Sequence, residues 1–296
     1  MFLIPHHRKA GLFSQLNKLL TIMEHRQTAD IHVDWSTGTL YGRPQDGNVF
    51  EHLFEQLAPL RPEDERVDRW PHWRYTGRHV SRQYPHTAWR TSLNAWWQYV
   101  SVRPDLLAEV ESFIALHVSG ITALHVRNYR IGAECTGGVA STLDDYAAAV
   151  EATEGKVFLA TDNDEAARFF RSRFGDHVLL RDIPRSPDMQ TELHHFRTQT
   201  IRDAQNCLID ALAMSRCSRL IHSVSNISTA VLYMNPACRT PSSSTTGQPH
   251  SPAPPPDRGV DASGKAWTST PPSRPLITPP IKTTAGCSSR CSSSVW

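Results

Sequence analysis

Four short apolar segments alternate with helical segments between residues 116 and 236, and this alternation constrains the fold more strongly than any other feature of the sequence. The strand candidates cover 120–127, 156–162, 177–182 and 219–224, and the helix candidates cover 142–153, 163–175, 200–217 and 225–234. Strands that alternate with helices in this way form parallel sheets with helices on both faces. The pattern therefore predicts an α/β fold.

The first 115 residues are less regular but also combine strand and helix patterns. The runs FLIPH and IHVDW (31–35) predict buried strands on either side of a helix over LFSQLNKLLTIMEHR, and NVFEHLFEQL (48–57) predicts another helix. Two further helical segments over 86–117 are separated at Pro104. We expect two Rossmann-like domains in the chain, 1–115 and 116–236.

Three tryptophans lie in the first of these two helical segments. Trp89, Trp96 and Trp97 are spaced by seven residues and by one, within an otherwise apolar and aromatic stretch. Such a stripe is more often the packing face of a helix than a platform for a ligand. We expect it to pack.

The last sixty residues, 237–296, differ in composition from the rest. They contain 11 of the 21 prolines and 20 serines and threonines. Such a stretch buries too little apolar surface to offset the entropy lost on ordering. We expect a disordered tail, and a proline-rich docking segment is the alternative.

The charge balance and the length of the apolar runs argue against a general nucleic-acid binder and a membrane-spanning protein. The tail carries six Lys/Arg and two Asp/Glu, so residues 1–236 hold 25 basic and 27 acidic side chains, a balance of −2. A near-neutral body is not the footprint of a general nucleic-acid binder. No apolar run reaches the ~18 residues of a transmembrane segment, and the N-terminus does not have the pattern of a signal peptide.

The arrangement of the cysteines indicates the redox environment of the protein. The six cysteines are scattered and form no CxxC pair: Cys135, Cys207, Cys217, Cys238, Cys287 and Cys291. Without a secretory context this predicts reduced thiols in a cytoplasmic protein.

Polar side chains follow three of the predicted strands in the second half, in HVRNYRIGAE (125–134), ATDND (160–164) and HSVSNIS (222–228). The carboxyl ends of parallel strands meet at one edge, where α/β proteins bind ligands. Arg127 offers a permanent charge with forked donors suited to a diphosphate. Ser225 and Asn226 begin a helix whose first N–H groups favour an anion. The three segments together predict a nucleotide-diphosphate site.

Two acidic features leave alternatives open. Asp210 lies on the otherwise apolar helical face CLIDALAM, so it must be hydrogen-bonded or neutralised; it is a structural acid bound to a nearby loop, or that loop also holds the ligand. Asp162-Asn163-Asp164 spells DxD, a pattern that can hold a divalent cation between diphosphate oxygens. Asp164 and Glu165 are equally explained as acids in the first turn of a helix, and we expect no bound metal.

These segments resemble a known family. HVRNYRIGAE, DDY, VFLATDN and LIDALAMSRCSRLIHSVSNIS are similar, in order, to motifs of the α-1,6-fucosyltransferase superfamily, which includes animal core fucosyltransferases, rhizobial nodulation fucosyltransferases and distant protein O-fucosyltransferases. The resemblance covers 120–236, and GLFSQLNKLL (11–20) is similar to the family's N-terminal glycine loop and helix. It implies a GT-B-like arrangement with an acceptor-side domain (1–115) and a nucleotide-sugar-binding domain (116–236).

The resemblance also implies an activity. The family's members are inverting, metal-independent glycosyltransferases without a cofactor, which transfer fucose from GDP-fucose to a glycan hydroxyl, and a role in polysaccharide biosynthesis would follow. Carried over residue by residue, Arg127 would bind the β-phosphate and stabilise the departing GDP, Arg130 stands in place of a lysine, and Glu134 matches the proposed catalytic base. Tyr146 matches an aromatic contact to the donor.

The remaining family positions concern the nucleotide. Asp162 and Asn163 stand where the family has two acids beside guanine, and Asp210 matches a buried helix acid. Ser225 and Asn226 match the hydroxyl-bearing phosphate loop.

The chain also departs from the family pattern. Asn128 replaces the second of two adjacent arginines, the segment up to Glu134 is one residue shorter, and Asn163 replaces an acid. Two alternatives therefore stay open: an impaired or inactive remnant of the same fold that binds nucleotide or glycan, and a transferase for a different sugar.

Overall fold

The chain is described by a computed structural model that covers residues 2–5, 11–36, 40–66, 87–117, 121–127, 141–223 and 225–240. The strands are β1 (Phe2–Pro5), β2 (Ile31–Asp34), β3 (Glu65–Arg66), β4 (Thr122–Val126), β5 (Val157–Thr161), β6 (Val178–Leu179) and β7 (Arg219–His222). The α-helices are α1 (Leu12–Arg26), α2 (Thr87–Trp97), α3 (Pro104–His117), α4 (Leu143–Glu151), α5 (Asp164–Phe174), α6 (Leu193–Phe196), α7 (Ile201–Ser215) and α8 (Asn226–Met234).

The strands form two sheets, and every pairing within them is parallel. The first sheet has the order β2–β1–β3, and the second has the order β6–β5–β4–β7. Parallel neighbours need a crossover, and helices such as α1, α4 and α7 provide it. The predicted α/β class with parallel sheets is confirmed.

The second sheet is buried on both faces. Along β4, Ala123 belongs to the larger apolar core while Leu124 belongs to a smaller one, because successive side chains point to opposite faces. On β5, Phe158 and Leu159 divide in the same way. The smaller core is completed by α4 and α5, and the larger by helices that include α7 and α8. This double burial explains why the strands are nearly continuous apolar runs.

Local signals set the helix boundaries of this half. Thr142, the first residue of the helix candidate 142–153, caps α4 by accepting a hydrogen bond from the backbone N–H of Asp145, and Gly175 ends α5 with a φ of 54°. A positive φ favours glycine because it has no Cβ. Equivalent capping boxes start α7 at Thr200 and α8 at Ser225.

The predicted helix over 48–57 is wrong in extent. Only Val49–His52 is helical, as one 3₁₀ turn, and the chain then leaves the helix. Phe54 forms an antiparallel bridge with Val102, and the backbone N–H of Glu55 donates to the carbonyl of Ser101 at 2.9 Å. This tertiary pairing overrides a helical pattern that local propensity alone would extend.

The third strand of the second half is shorter than predicted. β6 comprises two residues of the expected 177–182 and lies at the edge of its sheet. Beyond it, Arg181 turns inward and is 9% exposed. A buried guanidinium with its own set of acceptors thus replaces the end of the strand.

The N-terminal half packs directly on helices of the second half. α1 and α2 both contact α8, and the side-chain amide of Asn94 donates to the carbonyl of Tyr233 at 2.7 Å. The Trp97 ring lies 6.1 Å from that of Tyr233 and 6.4 Å from that of Phe54, and Trp96 packs on the same core. The packing-face interpretation therefore holds for these two tryptophans; the Trp89 side chain lies outside what the structure describes.

All described residues belong to one compact unit, Met1–Pro249. Residues past the expected boundary at 237 still pack on it: Cys238 is buried in the larger core, and Arg239 pairs with Arg219 beside β7. Residues 241–296, and with them the predicted disorder of the tail, lie outside the described residues. The described helices include none that is long and apolar enough to cross a membrane.

Candidate functional site

The ends of three parallel strands meet at one edge of the second sheet. Val126 is the register partner of Thr161, so Arg127 and Asp162 leave neighbouring strands at the same level. On the other side, His125 is the register partner of His222 in β7. The convergence of the three polar segments is therefore a property of the fold.

A pocket lies at this edge. Its volume of about 70 Å³ is enough for a group the size of a phosphate, so only part of a nucleotide would fit inside it. The sheet, the loop after β6, and α6, α7 and α8 supply its walls: His125, Arg127, Ala160, Thr161, Asp162, Ile183, Pro184, Leu193, Asp203, Asn206, Cys207, Asp210 and Ile227.

Three of the nine buried side-chain polar atoms that have no hydrogen bond among the described residues belong to residues that line this pocket. Nε of Arg127, Oγ1 of Thr161 and Oδ1 of Asp162 are all buried and make no hydrogen bond among the residues that the structure describes. Leaving a buried donor or acceptor unpaired costs about 1–3 kcal/mol. One N–H donor and one carboxylate acceptor at the edge of a pocket are the groups that a polar ligand would satisfy.

The two histidines of this edge are held neutral. Burial, together with the charge of Arg127, lowers the pKa of His125 well below its usual value, and burial lowers the pKa of His222 to about 4. His125 therefore acts at the pocket as a hydrogen-bonding group and not as a cation. Its Nδ1 lies 3.5 Å from Oγ of Ser225.

The start of α8 lies beside His125. Oγ of Ser225 accepts the backbone N–H of Ser228 at 3.1 Å, which caps the helix. Asn17 of α1 donates from Nδ2 to both the carbonyl and Oδ1 of Asn226, each at 3.2 Å. The first turn of a helix presents backbone N–H groups and a partial positive charge. Ile227 in that turn lines the pocket.

Asp210 also faces the pocket, but its partner is a side chain that the sequence analysis did not use. Arg181 donates to Oδ1 of Asp210 at 2.9 Å, and both side chains are more than nine-tenths buried. Burial raises the pKa of Asp210, and the Arg181 guanidinium opposes that rise. The sequence places Arg181 and Asp182 at the end of the third strand candidate, but no pattern in it pairs either residue with Asp210.

The other acid of α7 is neutralised in a similar way. Asp203 completes the cap of α7 through Thr200 and pairs with Arg197. Cys207 next to it is an inert thiol, because burial raises its pKa to about 12. Its neighbour is Tyr41 from the N-terminal half, whose pKa is also raised by burial.

Four of the described residues that the sequence predicts for the site do not line the pocket: Ser225 and Asn226 at the start of α8, Tyr146 and Asn163. Tyr146 is buried in the smaller core, where its hydroxyl faces Ser223 and Ser141. Asn163 is fully buried and caps α5: its Oδ1 accepts from Ala166 N at 3.0 Å and its Nδ2 donates to Ser186 Oγ at 3.1 Å. A further bond to the carbonyl of Asp188 completes its set. Their assignment as donor contacts stays a prediction.

Arg130 and Glu134 lie outside the described residues, as does Asn128. Of the DxD residues, only Asp162 lines the pocket; Asp164 begins the first turn of α5 together with Glu165. Within the part of the chain that the structure covers, no three His, Cys, Asp or Glu side chains are grouped as a metal site would require.

Comparison with known proteins gives a likeness of fold. No protein-family model and no curated protein matches the chain. Among solved structures, it is similar to NodZ α-1,6-fucosyltransferase crystallised with GDP, with a TM-score of 0.52, 16% identity, and 79% of this chain and 92% of that chain covered. The same enzyme soaked with GDP-fucose gives a TM-score of 0.51 with the same identity and coverage.

A third structure, fucosyltransferase NodZ from Bradyrhizobium, matches with a TM-score of 0.52 and 16% identity over 79% of this chain and 93% of that chain. The fold class and the suspected resemblance are thus supported by structure as well as by motif order. The chain has the fold of the NodZ fucosyltransferases.

Proposed function

We propose that the chain is a glycosyltransferase that uses a nucleoside-diphosphate sugar, with GDP-fucose as the donor and a glycan hydroxyl as the acceptor. The observation that carries the proposal is the pocket at the carboxyl edge of the second sheet. Arg127 lines it together with Ile227 of α8, and its buried Nε has no partner among the residues that the structure describes. The fold is shared with NodZ, which was crystallised with GDP and soaked with GDP-fucose.

The chemistry of the proposed reaction suits these residues. Cleavage of the bond between sugar and diphosphate leaves negative charge on the nucleotide, and a fixed guanidinium together with helix N–H groups stabilises that charge as it grows. Arg127 and the first turn of α8 would supply this without a metal ion. The histidine at the pocket does not compete for this role, because it is neutral.

An inverting transfer also needs a base for the acceptor hydroxyl. Glu134 is proposed for this role on the resemblance alone, with Arg130 as a second contact to the diphosphate. We further propose that 1–115 faces the acceptor, that 116–236 binds the donor, and that the protein acts in the cytoplasm in polysaccharide biosynthesis. Residues 237–240 pack on the folded unit, so the proposed disordered tail comprises 241–296.

Titration with GDP in a calorimeter tests the nucleotide site, and release of GDP from GDP-fucose in the presence of mixed glycans tests the transfer. We expect both. Glu134→Gln keeps shape but removes the base, so it should lower turnover on the order of 100-fold and leave GDP affinity unchanged. No binding of GDP by the wild-type chain would contradict the proposal.

Asn128, in place of the family's second arginine, favours one other candidate. That candidate binds nucleotide or glycan but does not transfer sugar. GDP binding without turnover, for GDP-fucose and for a panel of other nucleotide sugars, would favour it. Turnover of another nucleotide sugar alone would favour a transferase for a different sugar.

A further inference from the structure

Arg181 makes four hydrogen bonds beside the part of the pocket wall that contains Asp210 and Asn206. Besides its bond to Asp210, its Nη1 donates to the backbone carbonyl of Asn206 at 3.1 Å, and its Nη2 donates to Oδ1 of the same residue at 3.1 Å. Nη2 also donates to Oε1 of Glu109 at 3.0 Å. A planar guanidinium with both Nη groups engaged has a fixed orientation, and it fixes the carboxylate that it binds.

This ion pair is the inner end of a chain of charges. Glu109 on α3 accepts two bonds from Arg202 on α7, from Nη1 at 2.9 Å and from Nη2 at 2.7 Å. The side chains of Glu109 and Arg202 are 37% and 53% exposed, whereas those of Arg181 and Asp210 are 8% and 9% exposed. The network therefore runs from the surface to the pocket, and Arg181 is the member that reaches the buried carboxylate.

The charge of Asp210 depends on this partner. Removal from water raises its pKa most, the nearby carboxylate of Asp162 also raises it, and Arg181 and Arg185 lower it. Cys207, which also faces it, is an uncharged thiol. Arg185 donates to the backbone carbonyls of Thr161, Ile183 and Arg181. Among the described residues, Arg181 is therefore the cation that binds the carboxylate directly.

We propose that Arg181 is a positioning residue of the nucleotide pocket, which holds the Asp210 carboxylate ionised and oriented as an acceptor for a hydroxyl or N–H group on the nucleoside part of the ligand. The inference rests on the proposed function. A carboxylate repels a diphosphate, which belongs beside Arg127, so the group that meets Asp210 is a neutral donor.

A double-mutant cycle with pH as the variable tests this role, with GDP as the ligand in calorimetry at pH 5.5 to 8.5. Arg181→Gln should weaken GDP binding about tenfold at the acid end, because a protonated Asp210 accepts poorly. The loss should shrink as the pH rises and the carboxylate ionises. Asp210→Asn should weaken binding at every pH without that dependence.

The cycle separates an action through Asp210 from a general structural one. In the Asp210→Asn background, Arg181→Gln should change GDP affinity less than about twofold, since the group through which it acts is gone. Additive losses, or a pH profile equal to that of the wild type, would overturn the inference while leaving the nucleotide site in place. Failure of the wild type to bind GDP would overturn the proposed function and this inference with it.

A control variant and two milder variants keep the test decisive. Arg216→Gln removes an exposed arginine that pairs with Glu111 at 3.1 Å, so it loses the same charge away from the pocket and should leave GDP affinity unchanged at every pH. Should Arg181→Gln not fold, Arg181→Lys and Glu109→Gln keep part of the network. They should shift the pH profile in the same direction by a smaller factor, and an unshifted profile in both overturns the inference.

Discussion

The strand ends that the structure describes differ between the two parallel sheets: polar groups at the end of β2 are paired, whereas some at the ends of β4 and β5 are not. After β2, polar side chains close the strand end: Oδ1 of Asn48 accepts the backbone N–H of Trp35 at 2.8 Å, and its Nδ2 donates to the carbonyl of Val33 at 2.7 Å. Gln56 satisfies the same strand, accepting from Val33 N at 3.1 Å and donating to Val33 O at 2.8 Å. No polar atom there is left for a ligand among the side chains just named.

The second sheet, in contrast, has polar side-chain atoms at its strand ends that make no hydrogen bond among the described residues. At the ends of β4 and β5, Arg127, Thr161 and Asp162 each keep one buried polar atom without a partner among the described residues. A polar strand end is therefore not enough to mark a site, because both sheets have one. The difference is whether the fold has already paired the polar groups, since an unpaired buried group persists only where the surroundings hold it in place.

Mutation at the end of β2, the closed edge, should change the free energy of unfolding and leave GDP affinity unchanged. Asn48→Ala removes the acceptor of Trp35 N and the cap of the 3₁₀ turn, so we expect a loss of about 3 kcal/mol in the free energy of unfolding. Asn48→Asp keeps both acceptors and should lose less. Urea denaturation checks the stability, and calorimetry should show GDP affinity within about twofold of the wild type. A large loss of affinity in a folded Asn48→Ala chain would break the comparison.

Mutation at the ends of β4 and β5, the open edge, should change GDP affinity and leave the free energy of unfolding nearly unchanged. Arg127→Ala removes a charged donor from the diphosphate, so it should weaken GDP binding by about 1.5–3 kcal/mol. Its free energy of unfolding should change by less than about 0.5 kcal/mol, because the Nε has no hydrogen bond to lose among the described parts of the chain. Arg127→Lys keeps the charge without the fork and should fall between. Unaltered GDP affinity in Arg127→Ala would remove the nucleotide from this pocket.

The histidine pair makes the stability of the second sheet dependent on pH. The folded pKa of His222 is about 4, below its usual 6.5, so the unfolded chain binds this proton first as the pH falls. Stability is then fully present above about pH 6.5 and is lost as the pH falls toward 4. From pH 7 to pH 5 this amounts to about 2 kcal/mol for one such group.

His222→Gln should remove its share of that loss, and the free energy of unfolding measured against pH shows it as a shallower slope. His125 contributes in the same direction, so some slope should remain. An identical slope in wild type and variant would show that folding does not change the pKa of His222.

Local patterns predicted most of this fold. The strands β4, β5 and β7, the helices around them, and the caps at Thr142 and Gly175 follow from apolar periodicity and end signals. The helix over 48–57 failed because Phe54 pairs with Val102, a partner distant in sequence. The edge of the site was likewise predictable from strand ends, since topology alone brings Arg127 and Asp162 together.

The partners of the buried groups were not predictable in the same way. Nothing in the periodicity of 177–182 indicates that Arg181 turns inward to bind Asp210. Nor does the pattern of 156–175 indicate that the side-chain amide of Asn163 caps α5 and binds Ser186 in a neighbouring loop. Such pairings depend on side-chain geometry between segments far apart in the chain. They decide which polar residues remain available to a ligand.

Hydrogen exchange with and without GDP tests the contrast between the two edges most directly. If the open edge binds the nucleotide, GDP should slow exchange of the backbone amides in 125–127, 160–162, 203–210 and 225–229. It should leave 31–36 and 48–56 unchanged, and Arg127→Ala should reduce the protection. Protection confined to 31–36 and 48–56, or no protection at saturating GDP, would contradict the account.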